Sequence, residues 1–152
     1  MKHITLAVTG SIAAYKAADL TSQLTKEDFA VTVLMTQAAT EFITPLTLQV
    51  LSKNLVHSDV MKEPAPNKVN HIEIAKQTDL FLVAPASANT IAKLASGFAD
   101  NMITSTALAL PITVKKVLSP AMNTKMYENP ITQENLSKLE KYGWQIIQPI
   151  ET

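Results

Sequence analysis

The chain has 152 residues, 47% of them hydrophobic and 17% charged, which suits one compact domain with a sizeable core. Thirteen basic residues balance thirteen acidic ones and no Lys/Arg run stands out, so we expect no nucleic-acid partner. No stretch is long enough to cross a bilayer or to serve as a secretory signal, which predicts a cytoplasmic protein without a membrane partner.

Short apolar runs rich in β-branched residues alternate with longer segments of helical period. The runs predicted as strands are 4–9, 31–35, 80–84, 114–119 and 145–147. The first predicted helix carries one apolar face that can pack on a sheet, made of Ala13, Ala17, Leu20 and Leu24. Further helices are predicted at 45–51, 72–77, 88–95 and 102–110.

The last predicted helix has the clearest boundaries. Asn129 is a suitable N-cap, Pro130 suits the first helical position, and Gly143 is expected to end the helix. Leu136 and Leu139 are expected to face the core. Alternating strands and helices predict a parallel sheet covered on both faces, a Rossmann-like or flavodoxin-like three-layer α/β sandwich. Residues 1–152 are predicted to form a single domain, with 52–69 as an irregular and functional loop.

In open parallel sheets, ligands bind beyond the carboxyl ends of the strands. Four segments follow predicted strands and are similar in character: 9–14, 36–40, 85–90 and 120–123. All are built from small or polar residues without an acidic one, and the chain has no cysteine, so we expect no metal site.

Two of these turns could hold one phosphate together. Gly10 permits a tight turn or a positive φ, and Ser11 and Thr36 can direct hydroxyls and helix-start amides at an anion. Ordinary helix capping explains both hydroxyls as well, and the glycine pattern of a dinucleotide site is absent.

Two further side chains could carry chemistry. His71 stands in a polar helix start, Asn70-His71-Ile72-Glu73, and could act as a general acid or base, although a lone histidine at a helix start is more often a surface or capping residue. His3 and His57 have no comparable surroundings. Asn123 could donate to a carboxylate, or its amide could cap a short helix.

Taken together, the motifs resemble a known family. They are Gly10-Ser11-Ile12-Ala13-Ala14-Tyr15-Lys16, His71-Ile72-Glu73, Pro85-Ala86-Ser87-Ala88-Asn89-Thr90 with Gly97-Phe98-Ala99-Asp100-Asn101, and Pro120-Ala121-Met122-Asn123 with Met126. In this order and spacing the chain resembles the homo-oligomeric flavin-containing cysteine decarboxylases, over nearly its whole length. The resemblance is strongest to the members that act on 4'-phosphopantothenoylcysteine in coenzyme A biosynthesis.

The resemblance implies FMN as cofactor and a role for each motif. Ser11, Ile12, Ala13 and Thr36 would hold the FMN phosphate, with Gly10, Gln37 and Ala38 as further cofactor contacts. The flavin would be lined by Ser87, Ala88, Asn89, Thr90 and Ala121. His71 would act on the reacting cysteinyl end, Asn123 would bind its carboxylate, and Met126 would contact the substrate.

In the family, the flavin oxidises the substrate thiol to a thioaldehyde, whose C=S bond accepts the electrons left by departing carbon dioxide. The resemblance also implies a homotrimer or a dodecamer of trimers, with FMN at a subunit interface and His71 supplied by a neighbouring chain. Alternatives are a lantibiotic-type peptidyl-cysteine decarboxylase and a flavin-binding regulatory subunit, with a flavin prenyltransferase as a weaker fourth reading.

The sequence departs from the family pattern in two places. Members acting on phosphopantothenoylcysteine continue into a Leu-Ala-Cys-Gly segment whose cysteine completes product formation, and the chain as given stops at Thr152. We therefore expect residues 1–152 to bind FMN and decarboxylate without completing the reaction. Tyr127 stands where the family commonly has tryptophan, at a position that packs near flavin or substrate.

Overall fold

The computed structural model describes residues 2–58 and 70–149. Within these ranges, five parallel strands form one sheet in the order β2-β1-β3-β4-β5. The strands are β1 (His3–Val8), β2 (Ala30–Met35), β3 (Leu80–Ala86), β4 (Lys115–Pro120) and β5 (Trp144–Ile146). All five strand predictions are confirmed to within two residues at each end. The predicted α/β class is confirmed as well.

Helices fill the connections between strands. They are α1 (Lys16–Lys26), α2 (Pro45–Ser52), α3 (Asn70–Gln77), α4 (Ala88–Ser96), α5 (Met102–Ala109), α6 (Thr124–Glu128) and α7 (Pro130–Lys141), with 3-10 turns at Ile12–Tyr15 and Ala38–Glu41. Asn129 caps α7 through Ile131 N, and Leu136 and Leu139 are buried, as predicted. One detail differs: Ala13 belongs to the 3-10 turn and is half-buried, while Ala14 is fully buried in its place.

The sheet separates two apolar clusters, because successive strand side chains point to opposite faces. Leu6 and Val8 of β1 pack toward α1 and α2, whereas Ala7 packs in the cluster that holds Ile74, Phe81 and the buried sides of α4, α5 and α7. Phe81 is fully buried and meets Trp144 edge-on, with ring centroids 6.1 Å apart. These two clusters make the predicted three-layer sandwich.

The predicted loop 52–69 is partly replaced by ordered structure. Ser52 ends α2, and His57 pairs in parallel with Leu34 of the edge strand β2. Asn54 Nδ2 adds a bond to Val31 O of 2.7 Å. These contacts cover part of the exposed edge of β2, and residues 59–69 of the prediction lie outside the described residues.

Candidate active site at the carboxyl edge of the sheet

Thr9 joins the carboxyl ends of β1 and β3. Its buried hydroxyl donates to Pro85 O at 2.6 Å and accepts from Ser87 N at 2.8 Å, and its backbone N–H also donates to Pro85 O. Because this buried hydroxyl both donates and accepts a hydrogen bond, it fixes the end of β1 relative to the end of β3. Sequence reasoning did not give Thr9 a role, since one threonine at a strand end carries no signal about a partner 76 residues away.

The turns after β1 and β2 meet directly. Thr36 N donates to Val8 O at 3.1 Å, and a Cβ built on Gly10 would come within 2.6 Å of Ala38 Cβ. The φ of Gly10 is not positive, so the suggestion of a positive φ is wrong. Gly10 is needed here because the neighbouring turn approaches too closely for any side chain.

Ser11 and Thr36 both cap the turns that follow them. Ser11 Oγ accepts from Ala13 N and Thr36 Oγ1 accepts from Ala39 N, each at 3.1 Å. Capping uses only an acceptor lone pair, so each hydroxyl keeps its hydrogen for another acceptor. Beside them, Ile12 is 81% exposed, Gln37 and Ala38 are also exposed, and Ala13 is half-buried.

The segment after β3 is a helix cap with one exposed residue. Ser87 Oγ accepts from Thr90 N and donates to Thr90 Oγ1, both at 3.2 Å. Thr90 is buried, Ala88 is half-buried and Asn89 is exposed. Ala121 N donates to Ala86 O at 3.0 Å, which joins the end of β4 to the end of β3.

Asn123 caps the short helix α6, so the helix-capping interpretation is confirmed. Its Oδ1 accepts from Met126 N at 2.9 Å, and among the described residues none accepts from its Nδ2. The side chain is exposed and Met126 beside it is 47% exposed. The cap therefore aims a neutral N–H donor outward at the carboxyl edge of β4.

His71 lies in the first turn of α3, which packs against α5. Its Nδ1 is buried without a hydrogen-bond partner, whereas unpaired buried polar atoms are rare in folded proteins. Asn70, the residue before it, contacts His57 beside the last residues of β2, so His71 lies at the carboxyl end of the sheet. His57 itself does not lie at a helix start, but its contact with Asn70 was not expected from the sequence.

The described contacts connect all four strand-end segments, but none joins His71 to Asn123. In the sheet order, β2 and β4 are three strand spacings apart, about 14 Å. His71 and Asn123, the two side chains best suited to act on a substrate, therefore lie at different parts of this edge.

Two titratable groups have shifted pKa values, and neither belongs to the four strand-end segments. Burial lowers the pKa of His3, and the carboxylate of Asp79 opposes part of that shift. The hydrogen bond from Lys93, 2.7 Å from the carboxylate, holds the pKa of Asp100 below its usual value. Asn101 caps α5 in a reciprocal capping box with Thr104, as its predicted helix start requires.

A family model described as Flavoprotein matches residues 1–152. The chain belongs to the flavoprotein family. Among the described residues, no helix of this flavoprotein is long and apolar enough to span a membrane. No group of three potential metal ligands occurs among the described residues either.

Two relatives indicate where this flavoprotein stands in its family. It is 68% identical over 148 residues to a probable phosphopantothenoylcysteine decarboxylase of Streptococcus mutans serotype c, covering 97% of this chain and 83% of that protein. It is 45% identical over 150 residues to the coenzyme A biosynthesis bifunctional protein CoaBC of Bacillus subtilis. That match covers 99% of this chain and only 36% of the bifunctional protein.

Solved structures agree over almost the whole chain. The FMN-dependent cysteine decarboxylase SpaF matches with a TM-score of 0.92 at 25% identity, covering 99% of this chain and 86% of SpaF. A PPC decarboxylase mutant complexed with pantothenoylaminoethenethiol matches with a TM-score of 0.88 at 31% identity, covering 99% and 83%. The flavodoxin-like fold predicted from the sequence is thereby confirmed.

Proposed function

We propose that this flavoprotein binds FMN at the carboxyl edge of its sheet and, in the cytoplasm, decarboxylates 4'-phosphopantothenoylcysteine, the reaction that leads to 4'-phosphopantetheine in coenzyme A biosynthesis. The observation that carries the proposal is the 68% identity to a probable phosphopantothenoylcysteine decarboxylase. The hydrogen-bonded strand ends support it independently, because they offer neutral donors around one edge without an acidic group.

The residues present fit FMN. The close approach of Gly10 to Ala38 brings two capped turns together, and the hydroxyl hydrogens of Ser11 and Thr36 have no acceptor among the described residues. A phosphate would take these hydrogens together with turn amides. Ala88, Asn89 and Ala121, with Ser87, would line the flavin, while buried Thr90 would act through its bond to Ser87.

Bound FMN would supply the oxidation of the substrate thiol that makes loss of carbon dioxide possible. Asn123 Nδ2 would orient the substrate carboxylate through a neutral hydrogen bond. An ion pair at this position would stabilise the carboxylate and so oppose the loss of carbon dioxide. Exposed Met126 would contact the substrate beside it. His71 would take the proton from the substrate sulfur, because a neutral imidazole has a nitrogen lone pair that can accept one.

We further propose that the site is completed between chains, in a homotrimer or a dodecamer of trimers. The separation of β2 from β4 supports this arrangement, because His71 and Asn123 make no described contact within one chain. Apolar side chains next to the edge are also exposed, with Ile12 at 81% and Tyr15 at 63%. A neighbouring chain would cover them and bring its own His71 to the edge.

Two measurements test the function and the shared site. We expect the wild-type protein to bind FMN with a yellow colour and to release carbon dioxide from 4'-phosphopantothenoylcysteine, and H71N to keep the colour and lose the release. Mixing H71N chains with N123D chains should raise the rate of carbon dioxide release in hybrid oligomers above that of either variant alone, as judged after co-refolding. Lack of FMN binding would refute the function, and failure of hybrids of two folded variants would refute the shared site.

A second candidate is decarboxylation of a peptide with a C-terminal cysteine. It is favoured by the match to SpaF, an FMN-dependent cysteine decarboxylase, at a TM-score of 0.92. The 25% identity to SpaF is far below the 68% identity to the phosphopantothenoylcysteine enzyme, so we rank it second. Side-by-side assays with the two substrates decide between them.

A further inference from the structure

His57 is fixed at the edge of the sheet beside the last residues of β2. Its backbone N–H donates to Val33 O at 3.0 Å, and its carbonyl accepts from Met35 N at 2.9 Å. These two backbone hydrogen bonds to β2 hold the Cα of His57 in place, so the imidazole is attached at a fixed position near the carboxyl edge of the sheet. No role for His57 follows from the proposed reaction.

The ring of His57 contacts the first residue of α3. Asn70 Nδ2 donates to His57 Nδ1 at 2.8 Å, which requires the imidazole tautomer that carries its proton on Nε2. The residue after Asn70 is His71. The contact therefore connects the edge of β2 to the helical turn that carries His71.

The other end of α3 is fixed independently. Thr78 Oγ1 donates to Ile74 O at 2.6 Å, so the hydroxyl of Thr5 is the donor in the buried 2.7 Å bond between the two threonines. Asp79 N donates to His3 O at 2.8 Å. These bonds fix the C-terminal end of α3 to β1 and leave the first turn to be positioned by other contacts.

His71 depends on that first turn. Its buried Nδ1 has no hydrogen-bond partner, so no bond at that atom fixes the direction of the ring. The direction comes from the backbone of the turn and from packing, and a shift of the turn moves the imidazole with it. A displacement of about 1 Å at a reacting group can lower a rate by up to roughly 100-fold.

We propose that His57 is a positioning residue, which holds Asn70 and thereby sets the placement of His71. The inference rests on the proposed function, in which His71 acts on the substrate sulfur. His57 would not touch the substrate, and its effect would reach the reaction only through the first turn of α3.

Removing the His57 ring should leave the protein folded. A cavity of about 410 Å³ lies against His57 and Asn70, and it is lined largely by polar side chains. Water in this cavity can hydrogen bond to the Asn70 amide when the ring is gone. The backbone bonds of His57 do not need its side chain, so alanine keeps the pairing with β2.

The test compares H57A with H57N, because an asparagine oxygen can take the place of Nδ1 as the acceptor for Asn70. H3A is the matched control: His3 also hydrogen bonds through its ring, to Thr32 at 2.8 Å, but lies at the opposite end of α3. Decarboxylation of 4'-phosphopantothenoylcysteine by the FMN-loaded protein gives kcat and KM. Hydrogen exchange of α3 amides and imidazole NMR need no substrate, and the chain has only three histidines to assign.

We expect H57A to lower kcat about tenfold with KM within twofold, to speed exchange in the first turn of α3 and to shift the His71 ring resonances. H57N should recover most of kcat, and H3A should match the wild type. Unchanged exchange and His71 resonances in H57A would overturn the proposal, as would equal impairment of H57A and H57N. A wild type without turnover would refute the proposed function, while exchange and NMR would still decide the positioning role.

Discussion

Gly10 and Ala38 lie in successive βα turns and approach so closely that a Cβ on Gly10 would come within 2.6 Å of Ala38 Cβ and 3.4 Å of its carbonyl carbon. Contacts as short as 2.6 Å do not occur between real side chains, so one turn must move if residue 10 gains a methyl group. The pair sets how closely the turns after β1 and β2 can approach.

G10A should therefore separate the two turns, lower the free energy of unfolding by about 1–3 kcal/mol and weaken FMN binding. The double variant G10A/A38G removes the colliding atom and should recover most of both losses. Urea unfolding measures the first quantity and quenching of flavin fluorescence the second. Equal behaviour of the single and the double variant would contradict the role given to this contact.

The buried hydroxyl of Thr9 gives a second prediction. T9V keeps the shape of the side chain but leaves Ser87 N without its acceptor, while Pro85 O keeps only the bond from the backbone N–H of Thr9. This change should cost about 1–3 kcal/mol of unfolding free energy. T9S keeps the hydroxyl and is the matched control, since it loses only a methyl group. A T9V protein as stable as T9S in urea would show that the bonds at this strand end are replaceable.

The sequence allowed prediction of the strands, most helices and the edge that carries the site, because periodicity and capping are local signals. Gly10, Ser11, Thr36 and Asn123 were found because each follows a strand. Contacts between distant segments had no such signal. The pairing of His57 with Leu34 and the bond from Thr9 to Pro85 depend on the assembled sheet, and the need for glycine at position 10 depends on Ala38.

His3 predicts a pH dependence of stability. Burial lowers its pKa in the folded state despite the opposing carboxylate of Asp79, so the unfolded chain binds the proton more readily. The contribution of neutral His3 is complete above the unfolded pKa and is lost as the pH falls below that value toward the folded pKa. The unfolding free energy of wild type minus that of H3Q should decrease from pH 7 to pH 5, and a difference that stays constant or rises would contradict the sign.

Asn123 offers a way to separate helix capping from substrate binding. N123D keeps an oxygen that can accept from Met126 N, so α6 should remain capped, but it replaces the Nδ2 donor with a negative charge. A lost bond to a charged group costs about 1.5–3 kcal/mol, and repulsion of the substrate carboxylate adds to it. We expect kcat/KM for 4'-phosphopantothenoylcysteine to fall by at least roughly tenfold, with FMN affinity and thermal stability close to wild type.

The matched control is N123S, which keeps a capping oxygen without the charge, and its kcat/KM should fall less. If N123D retained full kcat/KM, the substrate carboxylate would have to bind elsewhere, whereas equal losses of stability and activity in N123D and N123S would assign Asn123 to capping alone.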